Sequence, residues 1–141
     1  MESNNVIEET IETYRIYSES DVMSAVIAIF SLAQNKGFSE TEVSEISTSV
    51  SELAMNIVKY AQEGIITVWS IEQSERQQGI KVVAKDVGPG IEDLSTALEE
   101  HFSTGSSLGL GLPGVRRMVD EFDIESELGK GTQVTFIKWK T

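Results

Sequence analysis

The sequence predicts an α/β two-layer sandwich, in which a mixed β-sheet carries its helices on one face. Two stretches with helical hydrophobic spacing lie in the first half of the chain. Two pairs of β-rich apolar runs, each pair separated by a polar turn, follow from residue 66 onward. With 141 residues and 40% apolar residues, the chain fits one domain over residues 1–141 with a single core.

The first half of the chain is expected to form one strand and then two helices. Residues 10–18 are β-rich and predict the strand. Asp21 can cap the first helix, whose apolar residues recur at helical spacing. Ser39 and Glu42 form a capping box, which predicts a second helix that reaches about Ala61.

From residue 66 onward, the chain is expected to form two hairpins on either side of a glycine-rich loop. With helices on one sheet face, the other face would be available to protein partners. The expected elements are strands over 66–71 and 80–85, a polar helix near 92–101, a glycine- and serine-rich loop over 103–111, a helix from Pro113 to about Glu121, and strands over 123–128 and 132–140.

Composition excludes several classes of function. A net charge of −12 argues against nucleic acid and anionic membranes as partners, and serves either solubility or steering toward a basic patch on a protein. No apolar run is long enough to span a membrane, and the acidic N-terminus does not match a signal peptide, so we expect a cytoplasmic protein. The absence of cysteine excludes disulfides and thiolate metal sites, and one histidine argues against zinc.

Glu52 and Asn56 are candidates for a binding site on the second helix. They lie four residues apart, so they share one face of that helix, beside its apolar stripe. From there both side chains could reach into a cleft. Taken alone, however, such a pair is more often a solvated helix flank.

A second candidate is the segment from Asp86 to Gly90, which follows an apolar strand. A carboxylate there can accept a hydrogen bond from the exocyclic amine of adenine, whereas guanine presents an acceptor at the same position. Gly88 and Gly90 would let the backbone approach the base and turn tightly. An ordinary Asx turn after a strand would have the same residues.

The third candidate is the glycine loop from Gly105 to Gly114, which leads into a helix N-terminus. Backbone N–H groups and the helix dipole suit that junction to phosphate. Its Gly109-x-Gly111-x-x-Gly114 pattern matches the dinucleotide fingerprint by letter, but no strand precedes it and few residues follow. Lys130 follows a glycine, but the surrounding residues do not match a Walker loop.

Taken together, the motifs resemble the histidine-kinase-like (GHKL) ATPases, which include histidine-kinase catalytic domains and type II topoisomerase ATPase domains. The resemblance covers nearly the whole chain and implies the Bergerat ATP-binding fold, with ATP between the second helix and a glycine lid. The motifs are Glu52 with Asn56, Asp86-x-Gly88-x-Gly90, Gly109-x-Gly111 and Gly129-x-Gly131-Thr132.

The resemblance also implies roles for individual residues. Glu52 is similar to the catalytic base of the family, Asn56 to its Mg²⁺-binding asparagine, Asp86 to its adenine-binding aspartate and Thr132 to a helper beside that aspartate. Gly88 and Gly90 would approach the base. The lid residues that would hold the phosphates of ATP are Gly105, Ser106, Ser107, Gly109 and Gly111. Arg116 and Arg117 either help to bind phosphate or a partner, or form a solvated helix face.

Within this family, residues 51–61, 102–122 and 129–139 resemble the RsbT-type serine/threonine kinases of bacterial stress signalling. The only histidine, His101, is expected to have an ordinary surface role, which argues against autophosphorylating histidine kinases. The resemblance implies phosphorylation of STAS-domain antagonists in a stressosome, and activation of a PP2C-type phosphatase after release. A neighbouring interpretation is an anti-sigma factor that shares the ATP site and also binds a sigma factor.

Three functions therefore remain to be distinguished. The first is a protein kinase that transfers the γ-phosphoryl group of ATP, mainly by positioning and charge neutralisation. The second is a binding module in which ATP only sets the affinity for a sigma factor or phosphatase, and the third is an interaction domain without ATP. The presence of Glu52 favours the kinase over the binding module, because a base is unnecessary if the nucleotide only sets an affinity.

Overall fold

The computed structural model describes residues 6–74, 77–91 and 111–141. The predicted helix near 92–101, His101 and nearly all of the predicted glycine- and serine-rich loop lie outside the described residues. The described elements are β1 (Ile7–Ile16), α1 (Glu19–Asn35), α2 (Glu40–Asn56), a π-helical turn (Ile57–Ala61), β2 (Gly64–Ser74), β3 (Gln77–Asp86), α3 (Gly111–Met118), β4 (Glu121–Glu127) and β5 (Gly131–Trp139).

The five described strands form one sheet in the order β1-β2-β3-β5-β4. The two-layer α/β architecture is confirmed, but the expectation of a mixed sheet is wrong, since all four neighbouring pairs are antiparallel. Two helices join β1 to β2, so the chain returns to the end of the sheet that it left. The strands β3 and β4 run in the same direction, but β5 lies between them and no parallel pair forms.

The core lies between the described helices and one face of the sheet. Alternate strand residues such as Val82 and Phe136 are fully buried against the helices, together with Ile29 of α1 and Ile46 of α2. This alternation is the period of two that half-buried strands require. Within the described residues, no helix has both the length and the apolar character needed to cross a membrane.

Both long helices begin at a capping box. In α2, Ser39 Oγ accepts from the Glu42 backbone N–H at 3.1 Å and the Glu42 carboxylate accepts from the Ser39 N–H at 2.9 Å, as predicted. In α1 the cap is Ser18, and the prediction that Asp21 caps this helix is wrong. Asp21 instead accepts from the Ser18 N–H at 3.2 Å, so it takes the position that glutamate or glutamine has in most capping boxes.

The second helix stays helical to Ala61, as expected, but it changes type near its end. From Ile57 to Ala61 it forms a π-helical turn, closed by a 2.8 Å hydrogen bond from the Gln62 N–H to the Ile57 carbonyl. Such turns insert one extra residue into a helix and occur often at functional sites. No hydrophobic period in the sequence indicates this change.

Glu42 also joins the start of α2 to Thr141. Its side chain is buried at 6% exposure, and Oε2 accepts from the Thr141 backbone N–H at 3.2 Å and from the Thr141 hydroxyl at 2.7 Å. Burial alone would raise the pKa of the Glu42 carboxyl, but hydrogen bonds from Ser39 and Thr141 outweigh it and hold the pKa below its ordinary value.

We expect Glu42→Gln to remove a pH-dependent part of the stability. A lowered pKa in the folded state contributes stability that is present above the ordinary value of 4.5 and is lost as pH falls through the folded pKa. At neutral pH the variant should lose about 1–2 kcal/mol of unfolding free energy, because an amide accepts weaker hydrogen bonds than a carboxylate. Urea unfolding at pH 7 and at decreasing pH measures this. A constant difference between the two proteins at all pH values would contradict it.

Candidate nucleotide site

The helix α2 presents Glu52 and Asn56 on one face, as predicted, and both side chains are half-buried. Glu52 Oε1 accepts a hydrogen bond from the Gly111 backbone N–H at 3.1 Å. Gly111 is the first residue of α3, so the carboxylate satisfies one of the free N–H groups at that helix terminus and complements its dipole. The bond therefore connects α2 to the point where the glycine loop ends.

Asn56 is the last α-helical residue before the π-helical turn. Its side-chain amide does not cap that turn. At the other end of the turn, Ala61 packs directly on Gly88, where a Cβ atom would lie only 2.6 Å from the Ala61 Cβ. Gly88 is thus required for close approach between this turn and the segment after β3. Gly90, in the same segment, has a φ of 81°, which favours glycine.

Asp86 is the last residue of β3 and lies directly opposite Thr132 of β5. Its Oδ1 accepts from the Gly88 N–H at 2.9 Å and from the Thr132 N–H at 3.3 Å. The first bond forms an Asx turn, the alternative that the sequence also allowed for this segment. Both bonds use Oδ1, and Oδ2 accepts no hydrogen bond from the described residues.

The end of α2 and Asp86 meet at the same end of the sheet. Gly64 lies between them, since a Cβ atom on Gly64 would be 2.9 Å from Ile57 Cγ2 and 3.1 Å from Asp86 Cβ. Ile57 directly follows Asn56, so the three predicted polar side chains, Glu52, Asn56 and Asp86, belong to one region. The structure therefore brings Asp86 together with Asn56 and Glu52, which lie 30 and 34 positions earlier in the sequence.

A hydrogen-bond network beside Asp86 was missed by sequence reasoning. The Thr132 hydroxyl lies 2.8 Å from the Ser126 hydroxyl, and Ser126 Oγ accepts from the Ile91 backbone N–H at 2.7 Å. Ser126 thereby fixes the segment that follows Gly90. The register of the β4–β5 hairpin pairs Ser126 with Thr132, so the predicted hairpin could have pointed to this residue.

The remaining predicted site residues divide into two groups. Gly105, Ser106, Ser107 and Gly109 lie outside the described residues. Arg116 and Arg117 are exposed on α3.

The side chains at this site fit a magnesium ion that arrives with a nucleotide. Within the described ranges, no group of three histidine, cysteine, aspartate or glutamate side chains could hold a metal by itself. Mg²⁺ usually takes only one or two protein oxygens and completes its octahedron with phosphates and water. The amide oxygen of Asn56 could be one such protein ligand, and the Glu52 carboxylate lies one helical turn away on the same face.

Comparisons with known proteins identify the family of the chain. Residues 18–138 match the family described as the histidine kinase-like ATPase domain. Over 125 residues the chain is 41% identical to the serine/threonine-protein kinase RsbT of Bacillus subtilis, a match that covers 89% of this chain and 93% of RsbT. Over 130 residues it is 30% identical to the anti-sigma F factor of Caldanaerobacter subterraneus, covering 80% of this chain and 91% of that protein.

A solved structure shows the same fold at low sequence identity. The mycobacterial sensor histidine kinase MprB superimposes with a TM-score of 0.54 and 16% identity, covering 95% of this chain and 98% of that chain. The match to the family extends from the N-cap of α1 into β5 and includes Glu52, Asn56, Asp86 and Thr132. The fold and family predicted from the motifs are thus confirmed, and the chain belongs to the histidine kinase-like ATPase domain family.

Proposed function

We propose that this chain is an ATP-dependent protein serine/threonine kinase. The observation that carries the proposal is the Glu52 carboxylate, which shares a helix face with Asn56 and is tethered to Gly111 at 3.1 Å. A carboxylate placed where the glycine loop meets α3 can act on the group that receives phosphate. The similarity to RsbT over most of both chains supports the same activity.

In the proposed reaction, the acceptor hydroxyl attacks the γ-phosphorus of ATP, the bond to the bridging oxygen breaks, and ADP leaves. Glu52 orients the hydroxyl and takes its proton. In a loose transition state, little of this proton transfer is needed before the new bond to phosphorus forms, so a carboxylate is a sufficient base. Asp86 binds the adenine amine through Oδ2, while Thr132 and Gly88 hold its other oxygen. Mg²⁺, bound through Asn56 and the phosphates, would neutralise charge on the phosphates.

The backbone of the glycine loop would bind the phosphates. The residues proposed for this role are Gly105, Ser106, Ser107, Gly109 and Gly111, while Gly88 and Gly90 would lie close to the base. Such an arrangement positions the reactants and neutralises charge, which is most of what phosphoryl transfer requires of a protein.

The proposed substrates are serine or threonine residues of STAS-domain antagonist proteins in a stressosome-like complex. After release from that complex, the kinase would bind and activate a PP2C-type phosphatase. The resemblance to RsbT-type kinases supports both partners. The net charge of −12 is consistent with protein partners that present a basic patch, and not with nucleic acid.

The second candidate is an anti-sigma factor that sequesters a sigma factor in an ATP-dependent manner. The similarity to the anti-sigma F factor of Caldanaerobacter subterraneus favours it, at lower identity than the similarity to RsbT. The two functions share the nucleotide site, so the partner protein and its phosphorylation distinguish them.

Intact-mass analysis of a STAS-domain partner, incubated with this protein and Mg-ATP, tests the proposal. We expect a gain of about 80 Da, the mass of one phosphoryl group, and a loss of that gain when EDTA removes Mg²⁺. An unmodified STAS protein, together with a stable ATP-dependent complex with a sigma factor, would contradict the kinase and support the second candidate.

A further inference from the structure

The outward side of α1 carries exposed apolar side chains. Met23, Ile27 and Phe30 expose 62%, 61% and 40% of their surface, and their spacing of four and then three residues places them on one side of the helix. The core residues of α1, such as Ala25 and Ile29, lie on the opposite side and are fully buried. The exposed stripe is therefore not an extension of the core.

This stretch of α1 also lacks charge. Residues 22–35 contain no charged side chain, although charged residues make up 24% of the chain. The solvent face of a helix on a globular protein is normally polar and charged. Depletion of charge with enrichment of methionine and aromatic residues is instead typical of the centre of a protein interface.

A groove adjoins the stripe, between α1 and the edge strand β1. Its volume is about 590 Å³, and its apolar lining comes from Ile11 of β1 and from Ala28 and Leu32 of α1. Ser31 lines the same groove and lies one turn after Ile27, so the stripe and the groove meet. Together they form a continuous surface to which α1 contributes no charge along residues 22–35.

Carboxylates are present on both elements that form this surface. Glu9 lines the groove from β1, Glu12 is exposed on the same strand, and Glu19 is exposed at the start of α1. The one lysine that lines the groove, Lys36, donates to the Ser70 hydroxyl at 2.8 Å. The border is therefore acidic, like the whole chain, and suits a ligand that carries lysine or arginine beside an apolar stripe.

We propose that this surface docks an amphipathic helix of a partner protein, with apolar anchors that are flanked by lysine or arginine. This surface consists of the stripe of Met23, Ile27 and Phe30 together with the groove residues Ala28 and Leu32. Helix recognition in grooves uses anchors at spacings of three, four and seven residues, which match about two turns of α1. The proposal does not depend on the kinase activity.

A second copy of the chain fits this surface less well. The apolar part of the surface consists of three exposed side chains and one short groove, whereas a stable dimer buries roughly 800 Å² per partner. A second copy would also bring another net charge of −12 to an acidic border. A basic amphipathic helix would instead present apolar side chains to the stripe and positive charge to the acidic border.

The test uses the full chain and a fluorescent synthetic peptide of leucine and lysine, about 18 residues long, that forms an amphipathic helix. Fluorescence anisotropy should show tighter binding than for a scrambled peptide of equal composition. Ile27→Ser should weaken binding by about tenfold, because an apolar anchor contact is lost. The matched control is Leu128→Ser, since Leu128 is 61% exposed in the turn between β4 and β5.

Two further measurements complete the test. Glu12→Lys should weaken binding at low salt and have little effect at high salt, because exposed charges are screened. Thermal unfolding and ATP binding should not change in Ile27→Ser, since the side chain is exposed and lies on a helix that carries no predicted nucleotide-site residue. The proposal would be overturned if the scrambled peptide bound equally well or if Ile27→Ser had no effect on binding. It would also be overturned if analytical ultracentrifugation showed a dimer of the chain that Ile27→Ser dissociates.

Discussion

Replacing Asp86 with asparagine is expected to weaken ATP binding by roughly 100-fold, about 2–3 kcal/mol. Asparagine can keep its Oδ1 as the acceptor for the Gly88 and Thr132 N–H groups, so the local structure should survive. The amide nitrogen would then replace Oδ2 and direct a donor at the adenine amine, which is itself a donor. Isothermal titration calorimetry with ATP measures the loss.

The control for this prediction is the stability of the variant. Unfolding free energy should change by less than about 1 kcal/mol, because both backbone hydrogen bonds to Oδ1 can remain. The ratio of the affinities for ATP and GTP should also decrease, since the asparagine amide no longer favours the exocyclic amine of adenine over the carbonyl oxygen of guanine. Unchanged ATP affinity in a folded variant would remove Asp86 from the adenine site.

Replacing Glu52 with glutamine is expected to reduce phosphoryl transfer by roughly 100-fold or more while ATP affinity changes little. Glutamine retains an oxygen that can accept from the Gly111 N–H, so the tether between α2 and α3 should persist. It lacks the negative carboxylate that orients the acceptor hydroxyl and takes its proton. Single-turnover transfer to a STAS-domain partner, with ATP binding measured in parallel, separates these effects.

The matched variant Glu52→Ala removes both the carboxylate and the tether. If Glu52 acts on the acceptor hydroxyl, glutamine and alanine should lose transfer to a similar extent, and alanine should additionally perturb α3. If only the tether matters, glutamine should retain most of the activity and alanine should lose it. Full activity in both variants would exclude Glu52 from the reaction.

Local patterns predicted much of the fold. The Ser39 and Glu42 capping box requires only residues three apart, and the helical stripe with Glu52 and Asn56 requires only a fixed period. Both were correct in the structure. The capping box of α1 has the same local character, but the prediction of Asp21 as the cap was wrong, since Ser18 is the cap and Asp21 is its partner.

Sheet arrangement could not be obtained in the same way. The hairpins follow from apolar runs and turns, but the insertion of β5 between β3 and β4 depends on packing between segments far apart in the chain. The order of helices and strands along the chain therefore predicted a mixed sheet, whereas the strands pair in an antiparallel manner throughout the described sheet. The π-helical turn after Asn56 likewise leaves the hydrophobic period of α2 unchanged, so no local signal marks it.

For the site, the sequence by itself determined which residue types were available and in which order, and this order was sufficient to predict the family. Only the tertiary structure decided which atoms meet: Glu52 Oε1 with the Gly111 N–H, 59 positions later, and Asp86 Oδ1 with Thr132, 46 positions later. The physical reason is that capping and periodicity act over a few residues, whereas these hydrogen bonds exist only once the core has placed α2 beside α3 and β3 beside β5.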